Sequence, residues 1–141
     1  MQWQLDPDAR QEGGAVLIIL TDETDVILVM SPGHVDQRWK FPGGGIEPGE
    51  TPRVAACREA LEEAWGGELD EKQLVHLTTI DQSSHLKFVF SVLLPNLDKI
   101  KKRGDEGELV GRFSLKELDK MVDFLEAHRK IIQDLATKKA A

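Results

Sequence analysis

The sequence predicts an α/β domain in which a mixed sheet is covered by helices on both faces. Two observations point there. Short runs rich in β-branched and aliphatic residues recur along the chain, and two helical segments accompany them, one inside the chain and one near its end. The 141 residues, 40% hydrophobic and 30% charged, are enough for one core, so residues 1–141 are read as a single domain.

Each element has a local reason. Residues 15–20 and 26–30 are β-rich and separated by Thr-Asp-Glu-Thr-Asp, which reads as a hairpin. Residues 31–38 form a polar loop with Pro32 and Gly33. Residues 74–80 and 85–94 are two further strands joined by Asp-Gln-Ser-Ser. A loop over 96–107 leads to a short strand over 108–113. Ser114 followed by Glu117 is a capping-box pattern that starts a helix. A last amphipathic helix is expected over 123–136. The ends, 1–12 and 137–141, read as loosely held.

The inner helix carries the chemistry. Thr51 is a good N-cap, Pro52 suits the first helical position, and no breaker follows as far as Trp65. Val54, Cys57, Leu61, Ala64 and Trp65 recur at helical spacing as one apolar stripe. Glu59, Glu62 and Glu63 stand at i, i+3 and i+4, so they share the other side. Like charges so grouped repel unless a cation lies between them. Hard oxygen donors of this kind suit Mg2+, with Mn2+ as a substitute. Arg58 is placed to pair with Glu50 or with Glu62 and to hold the preceding turn against the helix. Upstream lies Trp39-Lys40-Phe41-Pro42-Gly43-Gly44-Gly45, read as a glycine-rich turn whose glycines allow close backbone approach to a ligand and positive φ.

Gly44, Glu50, Arg58, Glu59, Glu62 and Glu63 fall without a gap on the pattern G-x5-E-x7-R-E-U-x-E-E-x-G-U, where U is apolar. In this the chain resembles the Nudix hydrolases. Only Trp65-Gly66 departs from the pattern, standing where glycine and an apolar residue are usual. A helix end delayed to Gly66 or Gly67 is therefore expected.

The resemblance implies an α/β/α sandwich and a pyrophosphohydrolase acting on a nucleoside diphosphate linked to a second moiety. It implies a metal site made by Glu59, Glu62, Glu63 and the Gly43 carbonyl, and it matches Glu47 to a common acidic position. Glu50 and Arg58 would be structural in the motif. The catalytic set is Arg58, Glu59, Glu62, Glu63 and, from the later loop, Glu106 and Glu108. Gly44, Gly45, Trp39 and Lys40 are the candidate substrate contacts. Lys101, Lys102 and Arg103 are weaker candidates for phosphate contact, a charge run more often being a solvated face. His85 opens a strand facing the expected cleft, His34, His76 and His128 show no partner in the sequence, and none of the four is assigned to catalysis.

Several features narrow the function. The net charge of −7 argues against duplex nucleic acid as a partner. Cys57 has no second cysteine and sits on the apolar stripe, so it reads as a core thiol. No leader or membrane-length apolar run is visible, which makes a cytoplasmic protein the expectation. A homodimer stays open. Residues 80–84 carry neither the proline nor the tyrosine that the family uses for ADP-ribose and dinucleoside polyphosphates, and the coenzyme A signature is missing. A nucleoside triphosphate or related nucleotide is therefore favoured. The alternatives are a diphosphoinositol phosphate and a non-catalytic module that binds a nucleotide metabolite. An isomerase acting on isopentenyl diphosphate would need a further cysteine.

Overall fold

A computed structural model describes residues 5–33 and 37–140, without the side chains of 138–140. The expected loose ends at 1–4 and 141, and His34, lie outside the described residues.

Six strands form one mixed sheet: β1 Ala15–Thr21, β2 Asp25–Met30, β3 Gly43–Gly45, β4 Val75–Asp81, β5 Leu86–Leu93 and β6 Leu109–Ser114. The order is β4-β5-β1-β2-β6, with β3 beside β1. β1 runs parallel to β5 over seven paired residues, and the other pairings are antiparallel. Period-2 alternation splits the apolar strand residues between two cores. Val16, Ile18, Leu20, Phe88, Phe90 and Val92 face helix α1, Pro52–Glu63. Leu17, Ile19, Leu28 and Val89 face helix α2, Glu126–Ala140. This is the three-layer arrangement expected from the sequence. No helix among the described residues is long and apolar enough to cross a membrane.

Four local expectations need correction. The glycine segment is not a turn. Gly43–Gly45 are extended and paired with Leu17, Val16 and Ala15, and none has positive φ. β1 and β2 register at Thr21 and Val26 beside their hairpin. Further along, the segment from Lys40 to Gly45 lies between them. Lys40 exchanges both backbone hydrogen bonds with Val29, and the Ile18 N–H donates to Pro42 O at 2.9 Å. The turn comes later, at Gly49 with φ 87°.

The apolar stripe of α1 is also shifted. Ala55, Ala56, Ala60 and Ala64 are fully buried, while Cys57 and Leu61 flank them. Small side chains let the helix lie close to the sheet, so the alanines rather than the larger residues form the contact.

Nor does a left-handed glycine end α1. The Ala64 and Trp65 N–H groups both donate to Ala60 O, and Trp65 pairs with Ile100 as an isolated bridge. Lys101 Nζ then caps the free carbonyls of Leu61 at 2.7 Å and Glu62 at 3.1 Å.

The described part of the N-terminal segment is fastened rather than loose. The Arg53 N–H donates to Pro7 O, the Gln11 N–H to Glu50 O, and Arg53 Nε to Asp8 at 2.6 Å. The capping box at Ser114 is present and opens the 3-10 turn Leu115–Lys120. Arg129 of α2 clamps that turn by donating to the Leu118, Asp119 and Met121 carbonyls.

Candidate active site

The site lies where β3 meets α1 and the loop before β6. Thr51 Oγ1 accepts the Val54 N–H at 3.1 Å and starts α1, which carries its carboxylates to β3 about two to three turns later. At this junction glycine is required by space. A Cβ on Gly43 would stand 2.1 Å from Val16 O, and one on Gly44 would stand 2.6 Å from Glu59 Oε1.

Arg58 organises the motif. Its Nε donates to Glu50 Oε2 at 2.8 Å and its Nη2 to Glu50 Oε1 at 2.9 Å, a two-pronged pair. Nη2 also reaches the Gly45 carbonyl at 3.1 Å. Nη1 meets Glu59 at 3.0 Å and Glu62 at 3.4 Å. The Arg58 hydrogen bond holds the Glu50 carboxyl below the usual carboxylate range. The sequence offered Glu50 or Glu62 as partner; the structure brings Arg58 to both.

Spacing placed Glu63 on the side of α1 opposite the apolar stripe, and the fold buries it there. It is only 8% exposed, between α1 and β3, and accepts the Gly43 N–H at 3.3 Å. Burial, then its hydrogen bond and charge contact with Glu59, then the charge of Glu108, push its carboxyl up to about 8. Glu62 is the outer member, its side chain 46% exposed.

The loop candidates separate clearly. Glu108 is 8% exposed and accepts the Glu106 N–H at 2.9 Å, whereas Glu106 is exposed. Gly104 makes room for Glu108, since a Cβ there would stand 2.4 Å from its Oε1. Lys101 and Arg103 are committed to structure. Lys101 caps α1 and pairs with Asp105 at 2.7 Å, and Arg103 donates to Gly107 O.

These groups surround an open pocket of about 490 Å³. Among the described residues, seven carboxylates line it (Glu47, Glu59, Glu62, Glu63, Asp105, Glu106, Glu108) against two cations, Lys40 and Arg58. Arg58 is already saturated with carboxylates, and Lys40 has no carboxylate partner among the described residues. Gly43 and Gly44 complete the floor and Ser31 one side. Trp39 does not line the pocket but packs edge-on against Phe113 at 4.8 Å. Gly45 also stands outside it. Sequence reasoning missed Ser31 and Asp105, which become neighbours of the motif only through the insertion of the glycine strand and the capping of α1 by Lys101.

The carboxylates fit a hard divalent cation by donor type and by the excess negative charge that a cation would offset. As they stand, no three carboxylate, imidazole or thiol groups among the described residues are gathered tightly enough to grip one. Their hydrogen bonds explain this. Glu59 is turned to Arg58, Glu63 to the Gly43 amide and Glu108 to the Glu106 amide.

Comparison with known proteins agrees with this geometry. Bovine diphosphoinositol polyphosphate phosphohydrolase 3-beta is 41% identical over 59 residues, which is 42% of this chain and 36% of the relative's length. Rat diphosphoinositol polyphosphate phosphohydrolase 2 is 37% identical over 59 residues, 33% of its length. The chain thus spans about a third of these relatives. Among solved structures, a MutT from work on Aliivibrio salmonicida and Vibrio cholerae superposes with a TM-score of 0.68 at 23% identity, covering 90% of this chain and 97% of that one. A Nudix hydrolase from Nitrosomonas europaea gives 0.67 at 23% identity, covering 92% and 91%. These two likenesses show a shared fold. A family model described as the NUDIX domain matches residues 12–135, nearly the whole chain, and the chain belongs to the Nudix family.

Proposed function

We propose that this protein is a divalent-metal-dependent pyrophosphohydrolase that cleaves a phosphoric anhydride in a diphosphate joined to an organic moiety, a nucleotide in the leading case. The observation that carries the proposal is the convergence of buried Glu63 with Glu59 and Glu108 on an inserted glycine strand. A diphosphate entering a pocket with so large an excess of carboxylates would be repelled. Glu59, Glu63, the more exposed Glu62 and the Gly43 carbonyl would hold Mg2+ or Mn2+. When bound, such an ion offsets that charge, polarises the phosphoryl oxygens and acidifies water. Water attacks one phosphorus, the bond to the bridging oxygen breaks, and a glutamate takes the proton. The products are two phosphate-bearing fragments. A panel of nucleotides, nucleotide sugars and inositol pyrophosphates, assayed with Mg2+ and with Mn2+, tests this. Tight binding of a nucleotide without turnover would instead favour a non-catalytic binding module.

A second reading of the organic moiety has its own support. Among the described residues no aromatic side chain lines the pocket, and Trp39 and Phe41 are packed inward on Phe113 and Phe124. None of these lining residues offers a nucleobase an aromatic stacking face. A diphosphate on a moiety without a base, such as the diphosphoinositol compounds of the relatives' names, fits that lining. The inositol pyrophosphates in the panel discriminate between the two.

Burial separates the loop glutamates. Glu108→Gln is expected to lower kcat by about a hundredfold, the usual contribution of a positioned proton acceptor, while Glu106→Gln stays near wild type. Equal activity of all three proteins would remove the loop from the chemistry and leave Glu59 as the first base to test. Lys40, which has no carboxylate partner among the described residues, is assigned to a substrate phosphate. Lys40→Ala should raise KM about tenfold, the worth of one hydrogen bond to a charged group, with kcat little changed. An unchanged KM would take Lys40 out of the site.

A further inference from the structure

One buried polar contact joins the last helix to the strand that carries the glycines. His128 of α2 is 3% exposed, and its Nδ1 accepts the Phe41 N–H at 3.0 Å across 87 positions of sequence. The two rings stack, with centroids 5.7 Å apart and planes 16° from parallel. Phe41 is itself 1% exposed and meets Phe124 edge-on at 5.6 Å. A ring nitrogen that accepts a hydrogen bond carries no proton, so the imidazole is neutral with its proton on Nε2. The surroundings enforce this state. Burial, then the charges of Lys87 and Lys40, press His128 down to about 3.

The contact sits immediately before the pocket floor. Pro42, the next residue, has no N–H to donate. The amide after it, that of Gly43, donates to Glu63. The backbone entering the pocket floor is therefore held from β1 at Pro42 O, from α2 at the Phe41 amide and from α1 at the Gly43 amide. Without the imidazole acceptor the Phe41 N–H would be buried and unpaired, and the strand would shift or admit water to satisfy it.

We propose that His128 is a positioning residue for the active site: by holding the Phe41 amide it sets how Gly43 and Gly44 face Glu63 and Glu59. This rests on the assignment of the pocket as the active site, although the structural half of the claim stands without it.

The test compares wild type with His128→Leu, which cannot accept, and His128→Asn, whose amide oxygen can reach the place of Nδ1. The first readout is amide hydrogen exchange by NMR. In His128→Leu, exchange at Phe41 and Gly43 should accelerate at least about tenfold, matching the loss of one buried hydrogen bond, while Val89 in β5 and Ile132 in α2 change far less. The second readout is titration with Mn2+ alone, followed by electron paramagnetic resonance, in which His128→Leu should bind about fivefold more weakly. His128→Asn should recover most of both losses. Unchanged exchange at Gly43, or no recovery in His128→Asn, would overturn the proposal.

Wild type supplies a check that does not depend on the variants folding. Long-range 15N spectra should show His128 with an unprotonated Nδ1 and a protonated Nε2, and a protonated Nδ1 would also overturn it. Failure of wild type to bind Mn2+ would count against the metal assignment and leave the exchange result to decide the role of His128.

Discussion

Glu63→Gln is expected to lower kcat by at least about a hundredfold, roughly 3 kcal/mol of barrier, without unfolding the protein. The fold should survive for a reason the structure supplies. Burial and the neighbouring Glu59 and Glu108 push the Glu63 carboxyl up to about 8, so in the metal-free protein at neutral pH it is largely protonated. Glutamine has nearly the same shape, carries no charge and keeps an oxygen to accept the Gly43 N–H. What it cannot do is become an anion when a cation arrives. Steady-state kinetics with Mg2+, alongside thermal melting without it, checks both halves. A variant that turns over as fast as wild type would mean that Glu63 is not in the metal-holding set. A variant that melts far below wild type would mean that its buried carboxyl is chiefly structural.

Removal of divalent metal should have the larger effect, the loss of turnover altogether, with recovery on addition of Mg2+ or Mn2+. The pocket holds two cations of its own, and Arg58 is occupied by Glu50, Glu59 and Glu62. That leaves Lys40 to offset a diphosphate among seven carboxylates. Binding of Mg2+ should also raise the melting temperature of wild type, because an ion that binds only the folded state stabilises it. The shift should shrink in Glu63→Gln. Full activity in excess chelator would sink the metal assignment. A melting shift of equal size in both proteins would place the ion elsewhere.

The motif and the class of fold were legible in the chain alone. Arg58, Glu59, Glu62 and Glu63 could be read because a helix converts spacing into a shared side, and Thr51-Pro52 marks where that helix starts. The strands could be read because their runs are short and bounded by turn residues, and the observed ends lie within a residue or so of the expected ones. Spacing within one element is local geometry, which needs no knowledge of the rest of the chain.

Depth and long-range pairing have no such local signature, and packing of the whole chain settled them. Glu63 and Glu62 are neighbours in sequence with similar patterning, yet one is sealed against β3 and the other meets solvent. Three glycines read equally well as a turn; they form a strand because β1 and β2 part and leave unpaired backbone groups between them. Glu108 and Glu106 were indistinguishable until the fold buried one and exposed the other. His128 was one of three histidines without a visible partner, and its acceptor role appears only when α2 packs across 87 positions of chain onto Phe41.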